Sequence, residues 1–304
     1  MFGVTILGNN SAVPAYNRHP TAQIVTIHDQ LLLIDCGEGT QMQMARYKIR
    51  RSKIRYIFIS HLHGDHYFGL IGLIASLALI GREDSLHVFG PPLLKEMIDL
   101  QLKAADTMLP FPLYFSPLVS DGLLVDEKKF TVECFSTYHR VECKGFIVRE
   151  KRKLRKINKL EVLKYPIPAI FYERLKDGED YTTKDGDIIK NEWVTMPSAA
   201  GRSYAYSGDT LYDHQIAGYV KGVNLLYHET TYLKTMTENA KKRFHSTTHQ
   251  AATIALEAGV GKLIIGHFSS KYENIDVFLE EVKEVFENSD LAIEGVTYMI
   301  PFAK

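Results

Sequence analysis

The chain has 304 residues, its formal net charge at pH 7 is zero, and 45% of its residues are hydrophobic. This is the composition of an ordinary globular protein, and the neutral balance excludes a surface that is basic overall, so any nucleic-acid footprint has to be local. The three cysteines, Cys36, Cys134 and Cys143, have no metal-finger spacing and indicate small buried side chains in a reducing cytoplasm.

The sequence predicts neither a secretory signal nor a membrane span. The first residues have no basic segment ahead of an apolar one. The longest apolar stretch, residues 67–81, is interrupted by Gly69 and Gly72 and falls short of the roughly 20 residues that cross a bilayer. We therefore predict a cytoplasmic protein with no membrane partner, in which residues 67–81 form a buried helix.

The first third of the chain predicts a β-rich sheet covered by helices. Short runs rich in β-branched and aromatic residues, bounded by turn residues, indicate strands. The predicted strands are residues 3–8, 23–27, 31–35 and 55–59. Residues 39–51 have apolar side chains at helical spacing and a basic end, which suits the C-terminus of a helix.

The rest of the chain continues this mixture of strands and helices. Further strands are predicted at residues 86–89, 130–136, 145–149, 203–208, 224–227, 263–266 and 296–300. Helices are predicted at residues 93–105, 247–258 and 275–286. Thr247 and Gln250 have the spacing of a capping box, and Gly259 is placed to end the helix that they begin.

Residues 149–191 differ in character from the segments on either side. Residues 149–164 contain eight Lys or Arg against two Glu, an excess of six positive charges in a neutral chain. The segment has too little periodic apolar content to belong to the core, so we interpret it as an inserted arm. The predicted organisation is a first part of the domain at residues 1–148, the arm at residues 149–191, and the second part at residues 192–304.

A cluster of metal-ligand side chains follows the strand predicted at residues 55–59. His61, His63, Asp65 and His66 lie within six positions, across a turn that contains glycine. Imidazole nitrogen and carboxylate oxygen together suit zinc, and this many ligands can serve two ions better than one. The alternative is a polar loop with chance histidines, and the rarity of histidine argues against it.

Three further candidates come directly after predicted strands: His139, Asp209 and His267. Ligands at strand ends along one sheet edge are how a layered α/β fold collects distant residues in one pocket. A single residue of this kind would more often be structural. Because such residues follow several separate strands, chance is a poor explanation. The sequence therefore predicts that they form one metal site.

The longer motifs resemble those of a known family. His228-Glu229-Thr230 and His245-Ser246-Thr247 occur together with a basic insertion between His139 and Asp209. This combination resembles ribonuclease Z in its short bacterial form, a tRNA 3′-processing endonuclease of the metallo-β-lactamase superfamily. The matching segments cover nearly the whole chain: residues 7–8, 11–14, 35–41, 60–70, 139–141, 207–210, 228–230, 245–248 and 266–270. The resemblance implies an α/β metallo-β-lactamase fold, an αββα four-layer sandwich with the basic arm inserted.

The resemblance also implies two zinc ions per chain. One ion would be held by His61, His63 and His139, the other by Asp65, His66 and His267, with Asp209 bridging the two. Two adjacent metal ions can bind the phosphate, lower the pKa of a shared water and stabilise the leaving oxygen.

Three residues are candidates for proton transfer. Asp65 would accept a proton from the attacking water. Glu229 and His245 match a family pair in which the carboxylate orients an imidazole that donates to the departing 3′ oxygen. The alternative for this pair is a supporting role without proton transfer. His228 we assign to packing.

The implied partner is precursor tRNA, bound by a homodimer, with no DNA. The candidate tRNA contacts are Arg18, Lys151, Arg152, Lys153, Arg155, Lys156 and Lys159. Arg18 belongs to a loop that resembles the family element sensing the CCA end of tRNA. That loop keeps Pro14 and Arg18 but has Tyr16 and His19 where the family has lysine and asparagine, and the arm tip has Ala169 and Ile170 in place of Gly-Pro.

The predicted function is removal of the 3′ trailer from tRNA precursors, leaving a 3′-hydroxyl on the tRNA. One alternative is a hydrolase of the same fold that acts on a small phosphodiester or ester, which would share every metal ligand but need no basic arm. Another is a metal-stabilised RNA-binding module. A structural zinc site is closed and needs no bridging carboxylate, which argues against that interpretation.

Overall fold

The computed structural model describes residues 1–151, 154–198 and 201–300. The strands, in chain order, are β1 Phe2–Gly8, β2 Asn10–Ser11, β3 Ala22–Ile27, β4 Gln30–Cys36, β5 Ile54–Phe58, β6 Leu86–Gly90, β7 Leu113–Pro117, β8 Gly122–Asp126, β9 Phe130–Thr137, β10 Cys143–Glu150, β11 Lys156–Ile157, β12 Tyr181–Thr182, β13 Ile188–Ile189, β14 Thr195–Met196, β15 Ser203–Tyr206, β16 Leu225–Glu229, β17 Leu263–Gly266, β18 Phe268–Ser269, β19 Ser289–Leu291 and β20 Thr297–Met299.

The α-helices, in chain order, are α1 Thr40–Arg46, α2 Gly64–Tyr67, α3 Leu70–Leu79, α4 Leu93–Ala104, α5 Lys159–Val162, α6 Tyr172–Asp177, α7 Asn191–Val194, α8 Gln215–Tyr219, α9 Thr237–Arg243, α10 Thr248–Ala258 and α11 Asp276–Lys283. Short 3-10 helices cover Arg51–Lys53, Ala169–Phe171 and Lys234–Met236. No helix in these described ranges is long and apolar enough to cross a membrane.

Two seven-stranded sheets form the centre of the described structure. Their strand orders are β20-β1-β3-β4-β5-β6-β7 and β19-β17-β16-β15-β10-β9-β8. The apolar inner faces pack against each other, as when the ring of Phe58 on β5 meets that of Phe146 on β10 with centroids 5.4 Å apart. Helices α1, α3 and α4 cover the first sheet, and α8, α10 and α11 cover the second. This is the predicted αββα four-layer sandwich.

Strand direction explains why the candidate ligands meet. Strands β4 to β7 run parallel to one another, as do β15, β16, β17 and β19. Strand β9 pairs antiparallel with β10, and β10 pairs antiparallel with β15, so β9 and β15 point the same way. The residues that follow β9, β15 and β17 therefore leave the second sheet at one edge.

Most predicted elements are present, and the differences have local causes. The capping box of Thr247 and Gln250 is formed, and Gly259 ends α10 in a left-handed conformation with φ 60°. The helix predicted at 39–51 ends at Arg46, and the strand predicted at 203–208 ends at Tyr206. Strands β7, β8 and β19 were not predicted, because their short runs lack a clear alternation of apolar and polar residues.

The segment between β10 and β15 has a small apolar core of its own. That core contains Val162, Ile167, Leu175, Ile189 and Val194, with Ile157, Tyr165, Phe171, Tyr172 and Tyr181 packed around it. The prediction that this segment stands apart from the main core is compatible with this, because its apolar residues pack with one another.

Gly69 fixes the position of the histidine-bearing turn. Its N–H donates to the carbonyl of Cys36 at 2.9 Å, so the start of α3 rests on the backbone that follows β4. A Cβ at this position would lie 2.2 Å from the carbonyl oxygen of Gly37. Gly72, one turn further along α3, would bring a Cβ to 3.2 Å from the side-chain nitrogen of Gln41, which can move aside.

We predict that Gly69→Ala destabilises the protein by roughly 1–3 kcal/mol, as overpacking does, and loosens metal binding by displacing α2. Gly72→Ala is the matched control, and it should leave stability unchanged or raise it by up to about 1 kcal/mol, because alanine favours a helix interior. Thermal unfolding and elemental analysis of the two variants measure this. Equal stability in both would contradict the steric argument.

Candidate metal centre

The predicted ligands converge at the edge where these strands end. His61 and His63 follow β5, while Asp65 and His66 lie on α2, which begins at Gly64. His139, Asp209 and His267 follow β9, β15 and β17. Their ligand atoms form two groups, each with all of its atoms within 4.8 Å of one another: His61, His63, His139 and Asp209 in one, and Asp65, His66 and His267 in the other.

In the first group three imidazole nitrogens face one point. The Nε2 of His61 is 2.9 Å from the Nδ1 of His63, and the Nε2 of His139 is 3.1 Å from the same atom. The Oδ2 of Asp209 lies 3.7 Å from the Nε2 of His61. Imidazole nitrogens and a carboxylate in this arrangement are a zinc-type ligand set.

The second group is arranged similarly. The Nε2 atoms of His66 and His267 are 3.3 Å apart. The Oδ2 of Asp65 is 3.4 Å from the Nε2 of His267 and 3.6 Å from that of His66. Asp209 reaches this group as well as the first: its Oδ2 is 3.4 Å from the Nε2 of His66 and its Oδ1 is 3.4 Å from the Nε2 of His267.

Two observations test whether these residues fit a metal ion. Asp209 Oδ1 is buried and, among the described residues, has no hydrogen-bond partner. In most of these histidines, the ring nitrogen that faces away from the cluster already makes a hydrogen bond. His66 Nδ1 is 2.8 Å from Asp35 Oδ2, and His139 Nδ1 is 2.8 Å from the carbonyl oxygen of Phe244. The proton therefore sits on the outer nitrogen, and the inner one is free to bind a cation. The donor set fits.

The outward contacts include residues that the sequence analysis missed. Asp35 lies near the end of β4 and is fully buried, and no role was predicted for it. Thr231 Oγ1 lies 2.9 Å from His267 Nδ1 and donates to Glu229 Oε2 at 2.9 Å. An acid at the end of a buried strand was the available signal for Asp35. A threonine hydroxyl and a backbone carbonyl carry no such signal.

Glu229 and His245 form a buried ion pair beside the metal ligands. His245 Nδ1 donates to Glu229 Oε1 at 3.0 Å, and the same oxygen accepts from the backbone N–H of Ser246 at 3.0 Å. Burial opposes the charge on His245, but Glu229 and then Asp209 raise the pKa of His245 to about 9. The Glu229 carboxylate therefore favours the protonated form of the imidazole. His228 is buried behind the pair, with its Nδ1 2.7 Å from the Glu229 carbonyl, as a packing residue would be.

The cluster opens into a cleft of about 490 Å³. Its lining combines ligands and charged side chains, among them His63, Asp65, His245, Arg140, Arg243 and Lys271. Asp65 Oδ2 also accepts from the backbone N–H of Ala12 at 2.7 Å, which ties the loop after β2 to the rim. The three cations make the cleft suitable for an anionic group next to the ligands.

The predicted tRNA contacts have different surroundings. Arg18 is only 8% exposed; its Nε donates to Asn10 Oδ1 at 2.9 Å and its Nη1 to the carbonyl of Glu273 at 2.9 Å. In the arm, Lys151 pairs with Asp126 and Arg155 donates to Thr195, whereas Lys156 and Lys159 are exposed. Arg152 and Lys153 lie outside the described residues.

Comparison with known proteins agrees with this architecture. A family model described as Anti-Pycsar protein Apyc1 matches residues 2–144. The metallo-β-lactamase fold protein YhfI from Bacillus subtilis superposes with a TM-score of 0.68 at 19% identity, over 98% of this chain and 99% of that one. The chain therefore has the metallo-β-lactamase fold, as predicted, with a histidine–aspartate cluster at its strand ends that could hold metal.

Closer similarity is found to one family within that fold. Ribonuclease Z of Cytophaga hutchinsonii is 43% identical over 303 residues, which cover 98% of this chain and 96% of that protein. Human tRNase Z, short form, superposes with a TM-score of 0.72 at 25% identity, over 99% of this chain and 100% of that one. The chain belongs to the ribonuclease Z family.

We predict that removing divalent metal with a chelator lowers the midpoint of thermal unfolding. The inward nitrogens and carboxylate oxygens lose the cation that compensates them. An ion at a thousandfold excess over its dissociation constant stabilises the folded state by about 4 kcal/mol. Thermal scans before chelation, after it, and after Zn²⁺ is restored measure the effect. An unchanged midpoint in protein shown by elemental analysis to be metal-free would contradict it.

Proposed function

We propose that this chain is a zinc-dependent endoribonuclease that removes the 3′ trailer from tRNA precursors and leaves a 3′-hydroxyl on the tRNA. The observation that carries the proposal is the Glu229–His245 pair, 3.0 Å apart and facing the cleft beside Asp209. A hydrolase that cuts RNA must protonate a poor leaving group, the 3′ oxygen of ribose. A protonated imidazole at the ligand cluster meets that need.

The proposed cofactors are two zinc ions per chain. The first would be held by His61, His63 and His139, the second by Asp65, His66 and His267, and Asp209 would contribute to both. Support comes from the position of the Asp209 carboxylate, with one oxygen 3.7 Å from His61 Nε2 and the other 3.4 Å from His267 Nε2. When bound, such a pair supplies Lewis-acid activation of water and charge stabilisation on the phosphate.

The residues of the chain then divide the proton transfers. Asp65 accepts a proton from the water that attacks phosphorus, and the backbone N–H of Ala12 holds its carboxylate in place. As the bond from phosphorus to the 3′ oxygen breaks, His245 gives its Nε2 proton to that oxygen. Glu229 stabilises the imidazolium before the transfer, and Arg140, Arg243 and Lys271 on the cleft wall offset the phosphate charge.

The arm at residues 149–191 is proposed to hold the body of the tRNA. Lys156 and Lys159 are the exposed cations best placed for phosphate contacts, and Lys151, Arg155 and the undescribed Arg152 and Lys153 add to the positive field. Arg18 is proposed to act by fixing the loop at residues 12–17, because its guanidinium donates to Asn10 and Glu273. The arm is treated as an insertion between domain parts at residues 1–148 and 192–304.

We also propose that the enzyme is a cytoplasmic homodimer that acts on precursor tRNA and not on DNA. A small-phosphodiester hydrolase is the competing assignment, since it shares the metal ligands. The simplest experiment to distinguish these two assignments compares cleavage of a 3′-extended tRNA precursor with cleavage of bis(p-nitrophenyl) phosphate, a small chromogenic diester.

We predict that His245→Ala slows precursor cleavage by roughly 10²–10⁴, the usual contribution of a general acid. Glu229→Gln should also be slow, and the double variant barely slower, because groups that act as one unit are non-additive. Bis(p-nitrophenyl) phosphate is the control substrate: its leaving group needs no proton, so His245→Ala should cleave it at near the parent rate. Metal content must match the parent in each variant.

The same assignment fixes the pH dependence. Because Glu229 raises the pKa of His245, the imidazole keeps its proton at neutral pH and loses it only at alkaline pH, so the parent rate on precursor should fall on the alkaline side. His245→Ala should not show this decline. Multiplicative losses in the double variant, or an alanine variant equally slow on both substrates, would argue for two unrelated supporting residues.

We predict that replacing Lys156 and Lys159 with alanine weakens precursor binding and flattens its salt dependence. The log–log slope should fall in magnitude by about 0.7 to 0.9 for each phosphate that is no longer neutralised. The matched control replaces Lys164 and Lys176, which pair with Glu161 at 2.8 Å and Glu173 at 2.6 Å. Binding titrations across salt concentrations measure both pairs. An unchanged slope for the variant that lacks Lys156 and Lys159 would contradict a role of these side chains in binding tRNA.

A further inference from the structure

A buried hydrogen bond links the two sheets directly beneath the metal centre. Tyr206, the last residue of β15 in the second sheet, donates its phenol proton to Asp35 Oδ2 at 2.6 Å. Asp35 is the residue before the end of β4 in the first sheet. Both side chains are almost completely buried, and burial raises the pKa of the Tyr206 phenol well above its ordinary value, so the hydroxyl remains a donor.

Asp35 in turn fixes the orientation and the tautomer of one histidine in each ligand group. Its Oδ2 accepts from His66 Nδ1 at 2.8 Å and from Ser60 Oγ at 2.9 Å, while Oδ1 accepts from the Ser60 N–H at 2.7 Å. Because the Ser60 hydroxyl proton goes to Asp35, Ser60 Oγ accepts from His61 Nδ1, 3.0 Å away. The carboxylate of Asp35 therefore keeps the proton on the outer ring nitrogen of both His61 and His66.

Tyr206 also lies three residues before Asp209, the carboxylate that reaches both groups. Its hydrogen bond to Asp35 thus ties the end of β15, which leads to Asp209, to the end of β4, which holds His66. The phenol ring is itself fixed, since it stacks on Tyr227 with centroids 5.3 Å apart and on Phe146 at 6.5 Å. Asp209 Oδ2 lies 3.4 Å from His66 Nε2, so this hydrogen bond joins the two elements that carry these neighbouring ligands.

We infer that Tyr206 is a positioning residue of the metal centre, whose hydroxyl, through Asp35, keeps His61, His66 and Asp209 at the spacing that retains both metal ions. The inference rests on the proposed metal assignment. Outer hydrogen-bond partners of metal ligands typically contribute 10–100-fold in metal affinity or activity. The role predicts loss of ions from both groups together, because Asp35 acts on one histidine in each.

The chain contains a matched control on the same strand. Tyr204 is two residues earlier on β15, so its side chain faces the same side of the sheet, and it is fully buried. Its phenol donates to Gln23 Oε1, which is not a partner of any candidate metal ligand. Tyr206→Phe and Tyr204→Phe therefore remove the same atom, each with one buried hydrogen bond. Only Tyr206→Phe removes a hydroxyl that contacts Asp35.

The test compares metal retention in the parent and the two variants. Protein loaded with Zn²⁺ is challenged with excess chelator, and metal release is followed with a chromogenic indicator. Tyr206→Phe should release both ions about 10-fold faster or more, while Tyr204→Phe releases them at the parent rate. With Co²⁺ in place of Zn²⁺, the visible absorption spectrum should shift in Tyr206→Phe alone.

Metal-free unfolding separates positioning from general packing. Both variants should unfold at similar temperatures when metal-free, since each lacks one buried hydrogen bond. Parent-like metal release from Tyr206→Phe, or equally fast release from Tyr204→Phe, would overturn the inference while leaving RNA cleavage by the parent intact. A parent that binds no divalent metal would overturn this inference and the metal assignment together.

Discussion

The carboxylate of Asp209 is the group on which the arrangement of the site depends. It is 2% exposed, and five histidines bring a ring nitrogen to within 4.0 Å of it: His61, His66, His139, His245 and His267. A buried carboxylate is stable only when cations and hydrogen bonds compensate its lost hydration. The strand ends that surround Asp209 supply ligands for such cations from both sheets, and the sandwich is what brings those ends together.

Several strained backbone positions lie at the same place. Four non-glycine residues in or against the ligand set have left-handed backbone conformations: Ala12 at φ 64°, Asp35 at φ 54°, Phe244 at φ 60° and His267, itself a candidate ligand, at φ 62°. Such conformations cost of order 1–3 kcal/mol each and persist only where the surrounding structure holds them. Three of them aim a polar group at a ligand: the Ala12 N–H at Asp65, the Phe244 carbonyl at His139, and the Asp35 carboxylate at His66.

In the proposed function, the arm recognises the substrate and the cleft carries out the chemistry. The arm has its own apolar cluster around Leu175 and carries a positive excess in a chain that is neutral as a whole. It is separate from the main core, so its charge can be placed without strain on the metal ligands. The cleft has its own cations, such as Arg140, whose Nη2 lies 3.1 Å from His63 Nε2. Under that proposal, a long polyanion would be held at the arm and cut at the cleft.

The cluster from His61 to His66, the caps of α10 and most strands were predictable from sequence, because each is encoded in local spacing. His139, Asp209 and His267 were predictable as candidates because each follows an apolar strand. The groups that bind the outer ring nitrogens, and the direction in which Arg18 points, follow from tertiary packing. His139 meets the Phe244 carbonyl across 105 residues, and Arg18 meets Glu273 across 255. Contacts between such distant segments follow from how the two sheets pack, and no local pattern encodes them.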